Sequence, residues 1–250
     1  MSRAGRGNAV GMAGLRRRRS TVNERVRTIS DDVSTIAIVA AAVAIIVKIW
    51  VPVGARAQRP SIPVPAKPVT VSRSPTLGAS QSRAVVVEFT DFECPYCARF
   101  VRDIFPTLKS EYIDKNLIRF VFKHNPLKAL HSHAERAALS AQCAAQQGRF
   151  WPMQDELFRV PSDLGESGLG QHAIDAGLDP SRFRQCMTLG DGSAVQADAE
   201  LASALSLTST PTFLIGRPVG MDSVQVDSVV AGVRPVADFR AAIDKVLSAQ

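Results

Sequence analysis

The stretch Ala84-Val-Val-Val-Glu-Phe-Thr-Asp-Phe-Glu-Cys-Pro-Tyr-Cys97 decides how the chain folds. Residues 84–90 are apolar and β-branched and predict a buried strand. Beyond Cys97, the residues Phe100, Val101, Ile104, Phe105 and Leu108 recur at helical spacing. A Cys-x-x-Cys unit therefore lies where a strand turns into a helix. Pro95 suits the first helical position, where a missing N–H costs nothing. Cys94 then falls at the N-cap, beside unpaired backbone N–H groups and the positive end of the helix dipole, which favour a thiolate. Cys97 follows one turn deeper on the same face. The spacing predicts an exposed nucleophile and a shielded resolving thiol, the arrangement that thiol–disulfide exchange needs.

The competing use of Cys-x-x-Cys is half of a zinc site. A structural zinc site takes four ligands, usually with a second close pair. The other two cysteines, Cys143 and Cys186, are isolated, and no histidine pair has finger spacing. His131 and His133, on a segment without close carboxylates, are expected in capping or surface roles, and no metal site is expected. Phe150, Trp151, Met153, Leu157 and Phe158 have helical spacing and read as core.

Upstream, the composition divides the chain. Its 250 residues carry 30 Lys+Arg and 23 Asp+Glu, a formal charge of +7. Residues 1–60 hold 11 of the basic and 3 of the acidic groups, so the rest is nearly neutral. That excludes a basic nucleic-acid-binding domain. The basic charge flanks an apolar run, 33–51, with one charged residue, Lys48. As a helix, this run would measure about 28 Å, close to the ~30 Å hydrocarbon core. Eight arginines precede it and none lies within it, which places the N-terminus in the cytoplasm. The expected organisation is a basic cytoplasmic tail, 1–32, and a transmembrane signal anchor, 33–51. A cleaved signal peptide ending near Ala55-Arg56-Ala57 is the alternative. Either places the remainder on the extracytoplasmic side, in a bacterial periplasm or cell-wall space. Six prolines between Pro52 and Pro75 then predict an extended tether over 52–82, leaving 83–250 as the folded domain.

The chain at this point resembles the DsbA-type thiol:disulfide oxidoreductases. The resemblance rests on an ordered set: Val87–Cys97, Ile118-Arg-Phe-Val-Phe-Lys-His-Asn-Pro126, His131-Ser-His-Ala134, Cys143–Trp151, Phe183-Arg-Gln-Cys186 and Thr208-Ser-Thr-Pro-Thr-Phe-Leu-Ile215. Cys-Pro-Tyr-Cys also occurs in glutaredoxins, but those are far shorter. The resemblance implies an α/β thioredoxin-like fold with an all-helical insertion at about 127–207. Strands near Thr212–Ile215 and Val224–Val230 are expected at the sheet edges, with a closing amphipathic helix over Asp238–Leu247.

The resemblance also implies roles. Cys94 and Cys97 are the redox pair, with Pro95 and Tyr96 as the residues that tune it. Thr210 and Pro211 match the family's cis-proline loop, which meets an extended substrate. Glu88 matches an acid beneath the site that serves the resolving thiol; a carboxyl in a buried strand should have a raised pKa, although a strand-end Glu reaching solvent is the bland reading. Cys143 and Cys186, left over in an exported domain, are expected to form a structural disulfide. Two buried thiols or a second redox pair are the alternatives. No metal or organic cofactor is implied. The partners implied are reduced exported proteins and a membrane-embedded, quinone-linked reoxidant. Oxidising members usually carry His where this chain has Tyr96, which leaves a reductase or isomerase as the other direction of the same chemistry. A non-catalytic peptide-binding module is the reading from a different class.

Overall fold

The computed structural model describes residues 36–38, 40–41, 62–190 and 192–249. The expected tail and most of the expected anchor lie outside the described residues, apart from five helical positions at 36–38, 40 and 41. Among the described residues, no helix is long and apolar enough to cross a membrane. Residues 61–250 form one compact unit.

That unit is built on a six-stranded mixed sheet of order β1-β6-β5-β3-β4-β2. Its strands are β1 (Val69–Thr70), β2 (Thr76–Leu77), β3 (Ala84–Thr90), β4 (Ile118–His124), β5 (Thr212–Val219) and β6 (Ser223–Ala231). β3 lies parallel to β4 and antiparallel to β5, with Glu88 opposite Phe122 on one side and Phe213 on the other. Being central, β3 is buried along its whole length, which explains its near-continuous apolar run.

Two expectations are corrected here. β5 and β6 are not edges, because β1 pairs antiparallel with β6, Val69 opposite Val224. The other edge is β2, with Thr76 opposite Val121. Both edge strands come from the stretch expected to be tether. Val69 and Val71 alternate with Thr70 and bury their side chains. Two-residue pairings are too short to show a strand pattern in sequence, and proline is tolerated beside an edge strand.

Strand alternation sorts the two faces. Ala84 and Val86 pack with Phe120, Phe213 and Ile215 under α1 (Pro95–Asp103) and Phe239, Ile243 and Val246 of α8 (Val236–Ser248). Val85, Val87 and Phe89 face the other way, with Val121, Leu214 and Ala202. Glu88 and Thr90 share the parity of Val86, so the period of two places them on the α1 face. α1 ends at Ile104, where α2 (Phe105–Leu108) begins, with Pro106 as its second residue. Proline lacks the N–H that would continue the ladder. A π-helical turn, Lys109–Ile113, leads into β4.

Between β4 and β5 stands the helical insertion: α3 (Ala134–Ala145), α4 (Phe150–Arg159), α5 (Glu166–Asp175), α6 (Pro180–Leu189) and α7 (Ser193–Ala204). A local signal sets the start of α6, where Asp179 accepts from Ser181 N and Arg182 N at 2.8 Å and Pro180 takes the first helical position. Phe150, Met153, Leu157 and Phe158 are buried in one core with Phe92, Cys94, Cys97 and Phe122, with Trp151 at its margin. The insertion therefore closes over the strand–helix turn that carries the cysteines.

An ion pair ties this lid to the sheet. Lys123 Nζ on β4 donates to Asp198 Oδ1 on α7 at 2.7 Å, with both side chains almost fully buried. Asp198 Oδ2 also accepts from His124 N at 3.0 Å. Desolvation raises the pKa of Asp198 against the lowering effect of Lys123.

Candidate active site

Cys94 occupies the N-cap of α1 with extended backbone angles, and Pro95 takes the first helical position. Cys97 N and Ala98 N donate to the Cys94 carbonyl at 3.0 and 3.2 Å. Both cysteines are free thiols. Cys97 is fully buried, and Cys94 is only 4% exposed, more covered than a nucleophile placed by local spacing alone. The cover is long-range: the Cys94 thiol lies 3.5 Å from the carbonyl of Thr210, across a cis Thr210–Pro211 bond. The neighbouring Tyr96 is exposed.

The two thiols have opposite ionisation. The Cys94 pKa falls from 9.0 to about 5. A hydrogen bond from the Cys97 thiol is the largest cause; desolvation opposes it, and the Thr210 side chain and the N–H groups of Cys97 and Tyr96 add to it. Cys97 moves well above its ordinary value, through burial first and then through its bond to Cys94 and the charges at Cys94 and Glu88. A shared proton thus sits on the deeper sulfur while the outer one is the anion.

Beneath Cys97, Glu88 is 2% exposed, which removes the reading of a strand-end Glu reaching water. Desolvation raises its pKa from 4.5 to about 8, against a smaller opposing effect of Thr90. Its Oε1 and the Thr90 hydroxyl are buried without a full hydrogen bond. At neutral pH, Glu88 is mainly a protonated acid in an apolar wall.

Cys143 and Cys186 form a disulfide between α3 and α6, with Cα atoms 5.7 Å apart. Cys143 is buried in the same core as Cys94 and Cys97, with Cys186 at its margin, but neither bonds to the Cys94–Cys97 pair. Among the described residues, no group of three or more His, Cys, Asp or Glu side chains could hold a metal ion.

The structure also gathers residues that the sequence did not single out. Asp91, with its side chain fully buried, accepts from Glu93 N on Oδ1 and from Leu127 N and His131 Nδ1 on Oδ2, each at 2.8 Å. Its carbonyl accepts from Cys94 N at 3.1 Å. Glu93 accepts from His133 N at 2.6 Å. His133 thus occupies the N-cap position of α3, while His131 is a partner of Asp91 more than a surface residue. The Asp-Phe-Glu run before Cys94 was the available signal, but its partners lie about 40 residues away.

A mixed sheet with a helical insertion, and a Cys-x-x-Cys pair whose two thiols ionise oppositely, define a DsbA-like thiol–disulfide oxidoreductase. Residues 70–234 match the family described as Thioredoxin, and the chain belongs to that family. Among solved structures, it resembles BdbD from Bacillus subtilis at 25% identity and a TM-score of 0.60, covering 70% of this chain and 93% of that one. A thioredoxin-like oxidoreductase from Silicibacter pomeroyi DSS-3 is also 25% identical, with a TM-score of 0.57 over 71% of this chain and 94% of that one. The fold is shared with α-DsbA1 of Wolbachia pipientis, at 22% identity and a TM-score of 0.62 over 71% and 92% of the two chains. Curated relatives include proteins named Na(+)/H(+) antiporter NhaA 3 of Salinispora tropica, 34% identical over 149 residues, and NhaA 1 of Mycolicibacterium gilvum, 35% identical over 152. The matches span 59% and 60% of this chain but only 22% and 24% of those relatives.

Proposed function

We propose that the chain is an exported, membrane-tethered disulfide donor that oxidises dithiols in reduced exported proteins. The observation that carries this reading is the placement of Cys94 at the N-cap of α1 above the fully buried Cys97, which favours the Cys94 thiolate; a stabilised thiolate favours the reduced enzyme and so makes its disulfide a better oxidant.

The chemistry follows from the geometry. A substrate thiolate attacks Cys94 Sγ of the oxidised pair, the Cys94–Cys97 bond breaks, and its electrons leave on Cys97. Cys97 is too buried to remain an anion, and Glu88 below it holds a proton near neutral pH. Glu88 supplies that proton directly or through water. A second substrate thiolate then attacks the substrate sulfur of the mixed disulfide. Cys94 departs as a thiolate, a good leaving group because its pKa is low. The substrate gains a disulfide, and the enzyme is left as the dithiol. We assign the Thr210–Pro211 loop, whose Thr210 carbonyl lies against Cys94, to pairing with an extended substrate, as in strand addition.

Export is supported by the apolar run 33–51 behind its arginines and by the Cys143–Cys186 disulfide, which persists in oxidising compartments. A membrane-embedded, quinone-linked oxidant would then remove two electrons from the dithiol after each turnover. The antiporter activity in the relatives' names belongs to proteins of which the match covers about a quarter, and it is not part of this proposal.

The test is the reduction potential of the Cys94–Cys97 pair, measured on the full chain in glutathione buffers. A value nearer about −120 mV supports the donor; one nearer about −270 mV makes the same site a reductase. The uncharged Tyr96 is the feature that favours the second direction.

A further inference from the structure

We propose that His131, oriented by the buried Asp91, is the cationic positioning residue that stabilises the Cys94 thiolate in a site whose Cys-Pro-Tyr-Cys turn carries no cation. The inference rests on Cys94 being the nucleophile.

Asp91 joins the two groups through a single residue. Its carbonyl accepts from Cys94 N, and its carboxylate accepts from His131 Nδ1. The carboxylate is fully buried and receives three donors, so it is fixed in place and cannot turn away. A second carboxylate clamps the same two segments together, Glu93 Oε2 receiving His133 N. The loop that carries His131 is therefore held against the turn that carries Cys94. With Nδ1–H committed to Asp91, Nε2 is the atom that takes up the second proton.

The electrostatics agree with that placement. Desolvation opposes a charged imidazole, but the hydrogen bond and charge of Asp91, with the charges at Cys94 and Glu93, outweigh it, and the His131 pKa rises. The effect is reciprocal, since a thiolate that favours the imidazolium is favoured by it to the same extent. The titratable groups acting on His131 are all acids: Asp91, Cys94 and Glu93. The nearby Lys128 is engaged with Glu135 at 3.0 Å. His131 acts beside the stronger hydrogen bonds from Cys97, Thr210 and the helix backbone, so its contribution is a fraction of the whole shift.

The test is the pH profile of Cys94 alkylation by iodoacetamide in the full-length wild type, His131→Gln and His131→Lys. Glutamine keeps a polar side chain but loses the charge; lysine keeps the charge with a different shape. The acid constant of Cys94 should fall about threefold to tenfold in His131→Gln, and the equilibrium constant with glutathione should shift toward a weaker oxidant by a similar factor. His131→Lys should keep the wild-type acid constant. An unchanged constant in His131→Gln overturns the proposal. So does an equal fall in both variants, which would mark a structural role. If the wild-type Cys94 itself ionises only near 9, the nucleophile assignment fails as well; a low wild-type value with an unmoved His131→Gln overturns the role of His131 alone.

Discussion

Reducing the Cys94–Cys97 disulfide should make folding stability depend on pH in a way that the oxidised protein does not share. The Cys94 thiol has a folded pKa of about 5 against an ordinary 9.0. A depressed acid contributes stability in full above its unfolded value, and loses it as pH falls through the folded one. Between pH 5 and pH 9, the gain is about 1.4 kcal/mol per unit, which gives roughly 2.7 kcal/mol at pH 7. Against it stands the disulfide, which closes a very short loop and favours the oxidised form by roughly 2 kcal/mol in the chain-entropy treatment. The two forms should therefore have similar stability at mildly acidic pH, with the reduced form ahead by pH 8. Glu88 and His124 titrate in both forms and largely cancel in the difference. The assay is thermal or urea unfolding of residues 61–250, oxidised or reduced with excess reductant removed anaerobically, at several values between pH 5 and pH 8. A difference between the two forms that stays constant across that range would refute the low Cys94 pKa and the mechanism built on it.

Four further outcomes follow from the same geometry. In the oxidised protein, stability should be nearly flat from about pH 4.5 to 6.5. Above it, stability falls because Glu88, raised to about 8 by burial, contributes below 4.5 and loses that contribution as pH rises through 8. Within that window the loss from Glu88 is offset by the buried His124, lowered to about 3 by desolvation and then by Lys123, which stays neutral while the unfolded chain takes up a proton below 6.5; below about pH 4.5 only that His124 difference remains, and stability falls. Glu88→Gln should remove the alkaline fall in unfolding experiments, and slow formation of the mixed disulfide between a substrate thiol and the oxidised pair in stopped-flow exchange. Asp198→Ala leaves the Lys123 ammonium buried without its partner and should cost about 3–5 kcal/mol in denaturant unfolding. Joint replacement Cys143→Ser with Cys186→Ser opens a loop spanned by a sequence separation of 43 and should cost about 4 kcal/mol. The midpoint of Cys94–Cys97 reduction should not move in that variant; a shift would point to a second redox pair.

What the sequence determined by itself is local. The apolar, β-branched run Ala84–Thr90 reads as a buried strand with Glu88 inside it, and Pro95 after Cys94 sets the cysteine at the helix start. Helical periods foretell the core positions of Phe150 and Phe239. Each of these depends on backbone geometry within a few residues, which is why spacing alone reveals it. What only the tertiary structure decided concerns partners far apart in the chain. β1 and β2 are strands because β6 and β4 offer unpaired edges, not because two residues carry a pattern of their own. Cys94 is covered by the Thr210 carbonyl, 116 residues away. Asp91 reads locally as a turn residue and becomes the anchor of His131 only when the 127–133 segment is folded over it. Lys123 and Asp198, 75 residues apart, look like ordinary surface charges until burial makes each depend on the other. Charge placement of this kind costs nothing in an extended chain and acquires its energy only when packing removes the water.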